Sequence, residues 1–184
     1  MKLHTSILLL AASTLSTALA IEARAAQDVL NDISQIKTQT ATVQRDIDAF
    51  QGGPASAVQA LQIKTDSDTL QKTIQKGSTD ARNSASFTDN ESAAIANAVT
   101  GLQTSIFKVL NSLVAKKAGF ETAIFGSSAV PIVHDTLVGL RADTGYFGGN
   151  VTQKLTPQIA KLSPLIVSNI DFHFVRAVDA FSSG

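Results

Sequence analysis

The sequence predicts an all-α protein, built as an antiparallel bundle of about five long amphipathic helices. Apolar residues recur every three or four positions along most of the chain, which is the spacing of one helix face. The 184 residues include only 11 glycines and 4 prolines, and several of these separate the periodic stretches. Because the connections between these long helices are short, we expect neighbouring helices to pack antiparallel.

Residues 1–20 have the three regions of a secretory signal peptide. A short basic start at Met1-Lys2 precedes an apolar run over 7–12, and Ala18-Leu19-Ala20 forms a small-x-small cleavage site. That run is about half of the roughly 20 residues that a membrane span needs. We therefore predict a secreted protein, extracellular or in the cell wall, with no transmembrane anchor and a single helical-bundle domain over residues 21–184. Cleavage after Ala23-Arg24-Ala25 is the alternative.

The composition excludes several classes of protein. Fifteen basic and 15 acidic residues give no net charge, whereas a nucleic-acid-binding domain usually has a basic excess. The absence of cysteine excludes disulfides, thiolate metal sites and cysteine nucleophiles. Asn90 and Asn150 each begin an N-x-Ser/Thr sequence, so they are candidate glycosylation sites in a secreted protein.

The first helix is predicted from residue 29 to residue 50, where Gly52-Gly53-Pro54 follows it. The second is predicted over residues 55–81, although Gly77 weakens that prediction for its C-terminal half. The apolar stripe of the first helix has one polar member, and the seam of the second is rich in small residues. The stripe consists of Val29, Ile33, Ile36, Thr40, Val43, Ile47 and Phe50, and the seam of Ala60, Ile63, Ser67, Leu70, Ile74, Gly77 and Ala81.

The third helix begins with a capping box, since Thr88 is followed three residues later by Glu91. Its apolar face is unusually wide, which is typical of a central helix. The fourth helix is predicted to begin at residue 130 and to end at Gly148-Gly149. The last segment covers 155–181, where Pro164 either kinks one helix or, with Ser163, begins a separate final helix.

The sequence predicts a protein that is not an enzyme and that uses no cofactor or metal ion. His134 and His173 are the histidines that follow the leader, and neither has a partner at metal-ligand spacing. Asp143-Thr144-Gly145 matches the aspartic-protease triplet, but it occurs once and within a helical stripe, whereas that chemistry needs two carboxylates. The motifs of serine hydrolases and phosphate-binding loops are also absent from the sequence.

Five stretches resemble the fungal hydrophobic surface binding protein A family, which includes the ligand-binding domains of fungal cell-wall galactomannoproteins. Each stretch alone is ordinary amphipathic helix, but their order and spacing follow the family over the whole chain after the leader. They are ISQIKT (33–38), VQRDIDAF (43–50), AVQAL (57–61), FTDNE (87–91) and FVRAVDAF (174–181).

The resemblance implies a bundle of about five helices around an apolar cavity that holds a long-chain fatty acid. It also implies residence in the cell wall or medium, as a mannoprotein-like glycoprotein, and adsorption to hydrophobic surfaces. The first hypothesis is therefore a fatty-acid-binding or lipid-binding protein. The alternative is a surface-active adhesion protein that opens its amphipathic helices on a hydrophobic surface and recruits a secreted hydrolase.

Candidate ligand-binding residues follow from the apolar stripes and from their uncharged polar members. A carboxylate needs one or two hydrogen-bonding groups, and polar seam residues are the obvious source, whereas the acyl chain needs only apolar neighbours. The expected polar contacts are Thr40 and Ser67, and the expected lining of the chain is Phe107, Leu110, Val114, Leu137, Leu140, Phe174 and Val178.

Overall fold

The computed structural model describes the backbone of residues 5–182 and the side chains of residues 26–182. The predicted signal peptide lies outside the residues whose side chains are described, and it stays a prediction. The described chain is helical, with five long helices and two short ones, and a 3₁₀ turn at Pro54–Ser56. The helices are α1 (Thr5–Ala49), α2 (Ala57–Asn83), α3 (Asp89–Ala115), α4 (Lys117–Phe120), α5 (Val130–Thr152), α6 (Pro157–Ala160) and α7 (Ser163–Ser182). The all-α prediction is confirmed.

Consecutive long helices run in opposite directions, and the five close a ring in the order α1, α2, α5, α7, α3. Within this ring α1 and α2 are antiparallel, as are α5 and α7. The other neighbours run parallel: Asn150 of α5 donates to the Ser78 hydroxyl of α2 at 2.9 Å, and Gln44 of α1 to Ser112 of α3 at 3.1 Å. Only two of the five packed pairs are therefore antiparallel, because chain order and spatial order differ.

The predicted seams of α1 and α2 face the interior along their whole length, since every stripe and seam residue of these two helices is buried. Gly77 does not break α2. A Cβ at this position would lie 3.2 Å from Cβ of Asp32 and 3.3 Å from a ring carbon of Phe147, so the glycine allows three helices to approach closely.

Three helix ends follow the chemistry that the sequence predicts. Gly52 and Gly53 both adopt φ of 80°, and they end α1 in a conformation that L-residues avoid. The capping box is present, with the Glu91 carboxylate accepting from the Thr88 backbone N–H at 2.8 Å. Helix α7 begins at Ser163, so Pro164 occupies the first turn of a separate helix.

The predicted end of the fourth helix at Gly148-Gly149 is wrong, because α5 continues to Thr152. Neither glycine has a positive φ, so neither terminates the helix. Gly148 instead allows α7 to approach closely, since a Cβ there would lie 3.0 Å from a methyl group of Val167.

Candidate functional site

The ring of helices encloses an apolar cavity of about 80 Å³, which we call the central cavity. A single water needs roughly 10–15 Å³ of such space, so the interior has room that its own side chains do not fill. The lining residues come from all five long helices, from α4 and from the segment after it. They are Ile36, Thr40, Val43, Ala60, Leu61, Ile63, Lys64, Ser67, Leu70, Ile74, Leu102, Ile106, Val109, Leu110, Leu113, Phe120, Ile124, Ala129, Ile132, Val133, Thr136, Leu137, Leu140, Thr144, Phe147 and Phe174.

Two buried hydroxyl groups line the central cavity, one on α1 and one on α2. The Thr40 hydroxyl donates to the Ile36 carbonyl of its own helix at 2.7 Å, which leaves its oxygen lone pairs free to accept. Ser67 is 5% exposed, and its hydroxyl has no hydrogen-bond partner among the described residues. Since buried hydroxyls are normally paired, the Ser67 hydroxyl is a donor that a ligand oxygen could use without breaking another bond.

The central cavity opens between the N-terminal halves of α2 and α5. Leu61 and Ile132 belong to its lining, yet they are 58% and 39% exposed. Lys64 and Thr136 lie on the same helices one turn further along, and the Lys64 ammonium is paired with the Asp68 carboxylate. An apolar ligand would therefore enter past aliphatic side chains, with one lysine nearby.

The structure brings six of the nine predicted ligand-binding residues to this cavity: Thr40, Ser67, Leu110, Leu137, Leu140 and Phe174. It places the other three elsewhere. The Phe107 ring stacks on the His173 ring at the α3–α7 contact, with centroids 3.8 Å apart, and Val178 is half-buried against the core. Val114 is 37% exposed. The apolar face of α3 is wider than the ring interior, so residues at its edges contact neighbouring helices or solvent.

Sequence reasoning missed the contribution of α2 and of the opening. Six residues of the α2 segment line the cavity besides Ser67: Ala60, Leu61, Ile63, Lys64, Leu70 and Ile74. The thin, small-residue seam of α2 was the signal for this, because small side chains leave space opposite the large ones of α3. Ile124, Ile132 and Thr136 gave no comparable signal, since a stripe does not reveal where two helices separate.

A second, larger cavity of about 300 Å³ lies between α3, α5, α6 and α7, and we call it the lateral cavity. Five residues line both cavities and so form the wall between them: Leu102, Ile106, Thr144, Phe147 and Phe174. The remaining lining consists of Ala93, Ala96, Asn97, Val99, Thr100, Arg141, Gly145, Gly148, Val151, Thr152, Leu155, Ile159, Leu162, Ser163, Ile166, Val167, Ile170 and Asp171.

An ion pair crosses from α5 to α7 at the edge of the lateral cavity. The Arg141 guanidinium donates to both carboxylate oxygens of Asp171, at 2.6 Å from Nε and 3.1 Å from Nη2. The hydrogen bonds from Arg141 hold the pKa of the Asp171 carboxyl below its usual range. The pair is half-exposed, so it marks the polar boundary of an otherwise apolar space.

The other polar groups singled out in the sequence have structural contacts. The Asp143 carboxylate accepts from Gln71 and Gln75 of α2, at 2.7 and 2.9 Å, and ties α5 to α2. His134 lies beside Asp135 on the surface of α5. No group of acidic and histidine side chains within residues 26–182 is arranged to hold a metal ion.

The two candidate glycosylation sites differ in their surroundings. Asn90 is exposed in the first turn of α3. Asn150 is half-buried, and its side-chain amide donates to the Ser78 hydroxyl and carbonyl at 2.9 and 3.2 Å. A glycan on that amide nitrogen would displace the contact between α5 and α2. Modification of either residue stays a prediction, and the geometry favours Asn90.

The sequence model of the family described as Hydrophobic surface binding protein A matches residues 26–166. No curated protein matches the chain. Within the described residues, no helix combines the length and the apolarity that crossing a bilayer requires.

Several solved structures share the fold. A crystal structure of AFMP4P in complex with palmitic acid is 25% identical, with a TM-score of 0.79, and the match covers 85% of this chain and 99% of that one. Ligand binding domain 1 of Penicillium marneffei MP1 protein, complexed with arachidonic acids, is 20% identical, with a TM-score of 0.75 and coverage of 88% and 99%. Domain 2 of the same protein, complexed with multiple arachidonic acids, is 23% identical, with a TM-score of 0.74 and coverage of 88% and 96%.

Proposed function

The chain belongs to the hydrophobic surface binding protein A family, and on that premise we propose that it is a secreted, non-enzymatic protein that binds a long-chain fatty acid in its central cavity. The observation that carries this proposal is the unfilled apolar interior, which is lined by the buried Ser67, whose hydroxyl forms no hydrogen bond with any described residue. The fatty acids in the structures of similar fold support the choice of ligand.

Burial in an apolar interior favours an acyl chain, but a chain of 16 carbons needs more room than the central cavity of about 80 Å³ offers, so the helices that line it must move apart to admit one. Each methylene moved from water into the cavity contributes roughly 0.8 kcal/mol, and this gain must exceed the cost of ordering the chain. The cavity needs no charge for that part of the ligand. We place the carboxylate at Ser67, whose hydroxyl can donate to it, whereas the Thr40 hydroxyl already donates to the Ile36 carbonyl and could accept only from the protonated acid. The chain would lie along Leu110, Leu137 and Leu140, which line the same space.

Native mass spectrometry of the protein from a eukaryotic secretor tests this proposal. We expect fatty-acid adducts on the protein as purified, and uptake of palmitic acid once the protein has been delipidated. A delipidated chain that takes up no acyl ligand, while it still coats alkane beads, would leave only the surface-active function.

Replacing Ser67 with alanine is expected to lower the affinity for palmitic acid about tenfold, since a hydrogen bond to a charged group is worth about 1.5 kcal/mol. The thermal midpoint should not fall, because no described residue forms a hydrogen bond with this hydroxyl. Titration calorimetry and thermal unfolding measure the two effects.

Ser56→Ala is the matched control for this substitution. Ser56 is also buried, but its hydroxyl donates to the Gly52 carbonyl at 2.8 Å, and it lies outside the lining of the cavity. This variant should lose stability and keep its affinity. Equal affinities for all three proteins would remove Ser67 from the site.

A second function, adsorption to hydrophobic surfaces, is favoured by exposed apolar side chains at the opening of the central cavity. Val58 and Leu61 lie one turn apart on α2, and Phe125 follows the lining residue Ile124. In this function the protein would coat a solid or a wax and bring a secreted hydrolase to it.

Adsorption to alkane beads should fall when Val58 and Phe125 are both changed to serine, whereas uptake of palmitic acid should not.

A further inference from the structure

We propose that the central cavity also binds long-chain primary alcohols, whose single hydroxyl contacts Ser67 and Thr40 at the same time. This inference rests on the proposed function, because it uses the same cavity and the same kind of hydrocarbon chain. It adds a second class of ligand, with an uncharged head group that can both donate and accept a hydrogen bond.

The two buried hydroxyls of the central cavity offer a ligand opposite halves of a hydrogen bond. The Thr40 hydroxyl uses its proton on the Ile36 carbonyl, so towards the cavity it can only accept. The Ser67 hydroxyl has no hydrogen bond with a described residue, so it is free to donate. The threonines of α2 behave differently from Ser67, because each donates to the carbonyl one turn earlier; they are Thr65, Thr69, Thr73 and Thr79. A carboxylate only accepts hydrogen bonds, so it can use Ser67 but not Thr40, whereas an alcohol can use both.

Thr40 and Ser67 lie at nearly the same height along the contact between α1 and α2. The alignment of these antiparallel helices is fixed by Lys76 of α2, which donates to the Asp32 carboxylate of α1 at 2.6 Å. Thr40 follows Asp32 by about two turns, and Ser67 precedes Lys76 by about two and a half turns. Because both helices rise about 1.5 Å per residue, the two hydroxyls reach the same level of the cavity wall. One oxygen atom between them could therefore contact both.

The charges around the central cavity also favour an uncharged head group. Lys64 is the one charged side chain among the described residues that line it, and its ammonium donates to both carboxylate oxygens of Asp68, at 2.5 and 2.6 Å. A carboxylate in the cavity would lose its hydration without gaining a free cation, and burial of an unpaired charge is costly. A primary alcohol avoids this cost.

Competitive titration of the delipidated full chain at pH 8, where a fatty acid is ionised, tests the inference. We expect hexadecan-1-ol to bind at least as tightly as palmitic acid. The methyl ether of this alcohol can accept a hydrogen bond but cannot donate one, so it should bind about fivefold more weakly than the alcohol.

Thr40→Val separates the two ligand classes, because it removes the acceptor and keeps a branched side chain. It should weaken the binding of hexadecan-1-ol about fivefold and that of palmitic acid by less than about twofold, whereas Ser67→Ala should weaken both. Thr38→Val is the matched control, since Thr38 also donates to the carbonyl one turn earlier in α1 but is exposed and lies outside the lining of the cavity. This variant should bind both ligands like the wild type.

The outcomes distinguish this inference from the proposed function. Uptake of palmitic acid without uptake of hexadecan-1-ol would overturn the inference and leave the proposed function intact. An equal loss of affinity for both ligands in Thr40→Val, or no loss for the alcohol, would also overturn it. A chain that takes up neither ligand would overturn the proposed function itself.

Discussion

Replacing Leu110 with tryptophan is expected to lower the affinity of the central cavity for palmitic acid by at least about tenfold, while the helical content stays the same. Leu110 is buried on α3 and faces the central cavity, so the larger indole would occupy the space that the acyl chain needs. Overpacking of this kind typically costs about 1–3 kcal/mol of stability.

Val114→Trp is the control, because it introduces the same side chain one turn further along α3. Val114 is partly exposed and lies outside both linings. The natural sequence contains no tryptophan, so the emission of the single introduced indole reports its surroundings in each variant. We expect a buried, ligand-sensitive indole at position 110 and a solvated, insensitive one at 114. Unchanged affinity in Leu110→Trp would show that the chain does not occupy this part of the interior.

Helix faces were predictable because the spacing of apolar residues is a local property. The steps of three and four in α1 identified seven residues, and all seven are buried. The capping box at Thr88 and the glycines after Phe50 are equally local, since each acts within one turn of the chain. Gly148 shows where this reasoning fails: its effect comes from Val167 on another helix, which local sequence does not reveal.

The candidate cavity was only partly predictable, because a seam indicates which residues point inward and not what lies opposite them. Thr40 and Ser67 were identified since polar residues in an apolar seam are unusual, and both line the central cavity. Phe107 and Val114 looked equivalent to Leu110 in the sequence, but the closing of the ring by α7 leaves one of them stacked on His173 and the other at the surface. The lateral cavity is lined by residues of four helices that meet only in three dimensions.

Replacing Lys76 with methionine is expected to lower the free energy of unfolding by about 3 kcal/mol near pH 7. Lys76 of α2 donates to the Asp32 carboxylate of α1 at 2.6 Å and to Asp80 at 2.8 Å. Asp32 is 1% exposed, and its second oxygen has no partner within the described residues. Removing the lysine would leave a buried carboxylate uncompensated, which is among the costliest single changes. Chemical denaturation measures the loss.

Acid should partly restore the stability of Lys76→Met, and this pH dependence distinguishes a buried charge from lost packing. Burial raises the pKa of Asp32 above its usual value, Lys76 opposes the rise, and Asp80 adds to it. Without the lysine the native state takes up a proton at a higher pH than the unfolded chain. The stability that this proton uptake adds is fully present below the unfolded pKa of about 3.9, and it is lost as the pH rises through the pKa of Asp32 in the folded state.

Lys72→Met is the control, because Lys72 lies at an exposed position one turn earlier in α2 and has no buried partner. This variant should cost little at either pH. A deficit for Lys76→Met that is equally large at pH 4 and pH 7 would mean that Asp32 is not held as a buried carboxylate by this lysine.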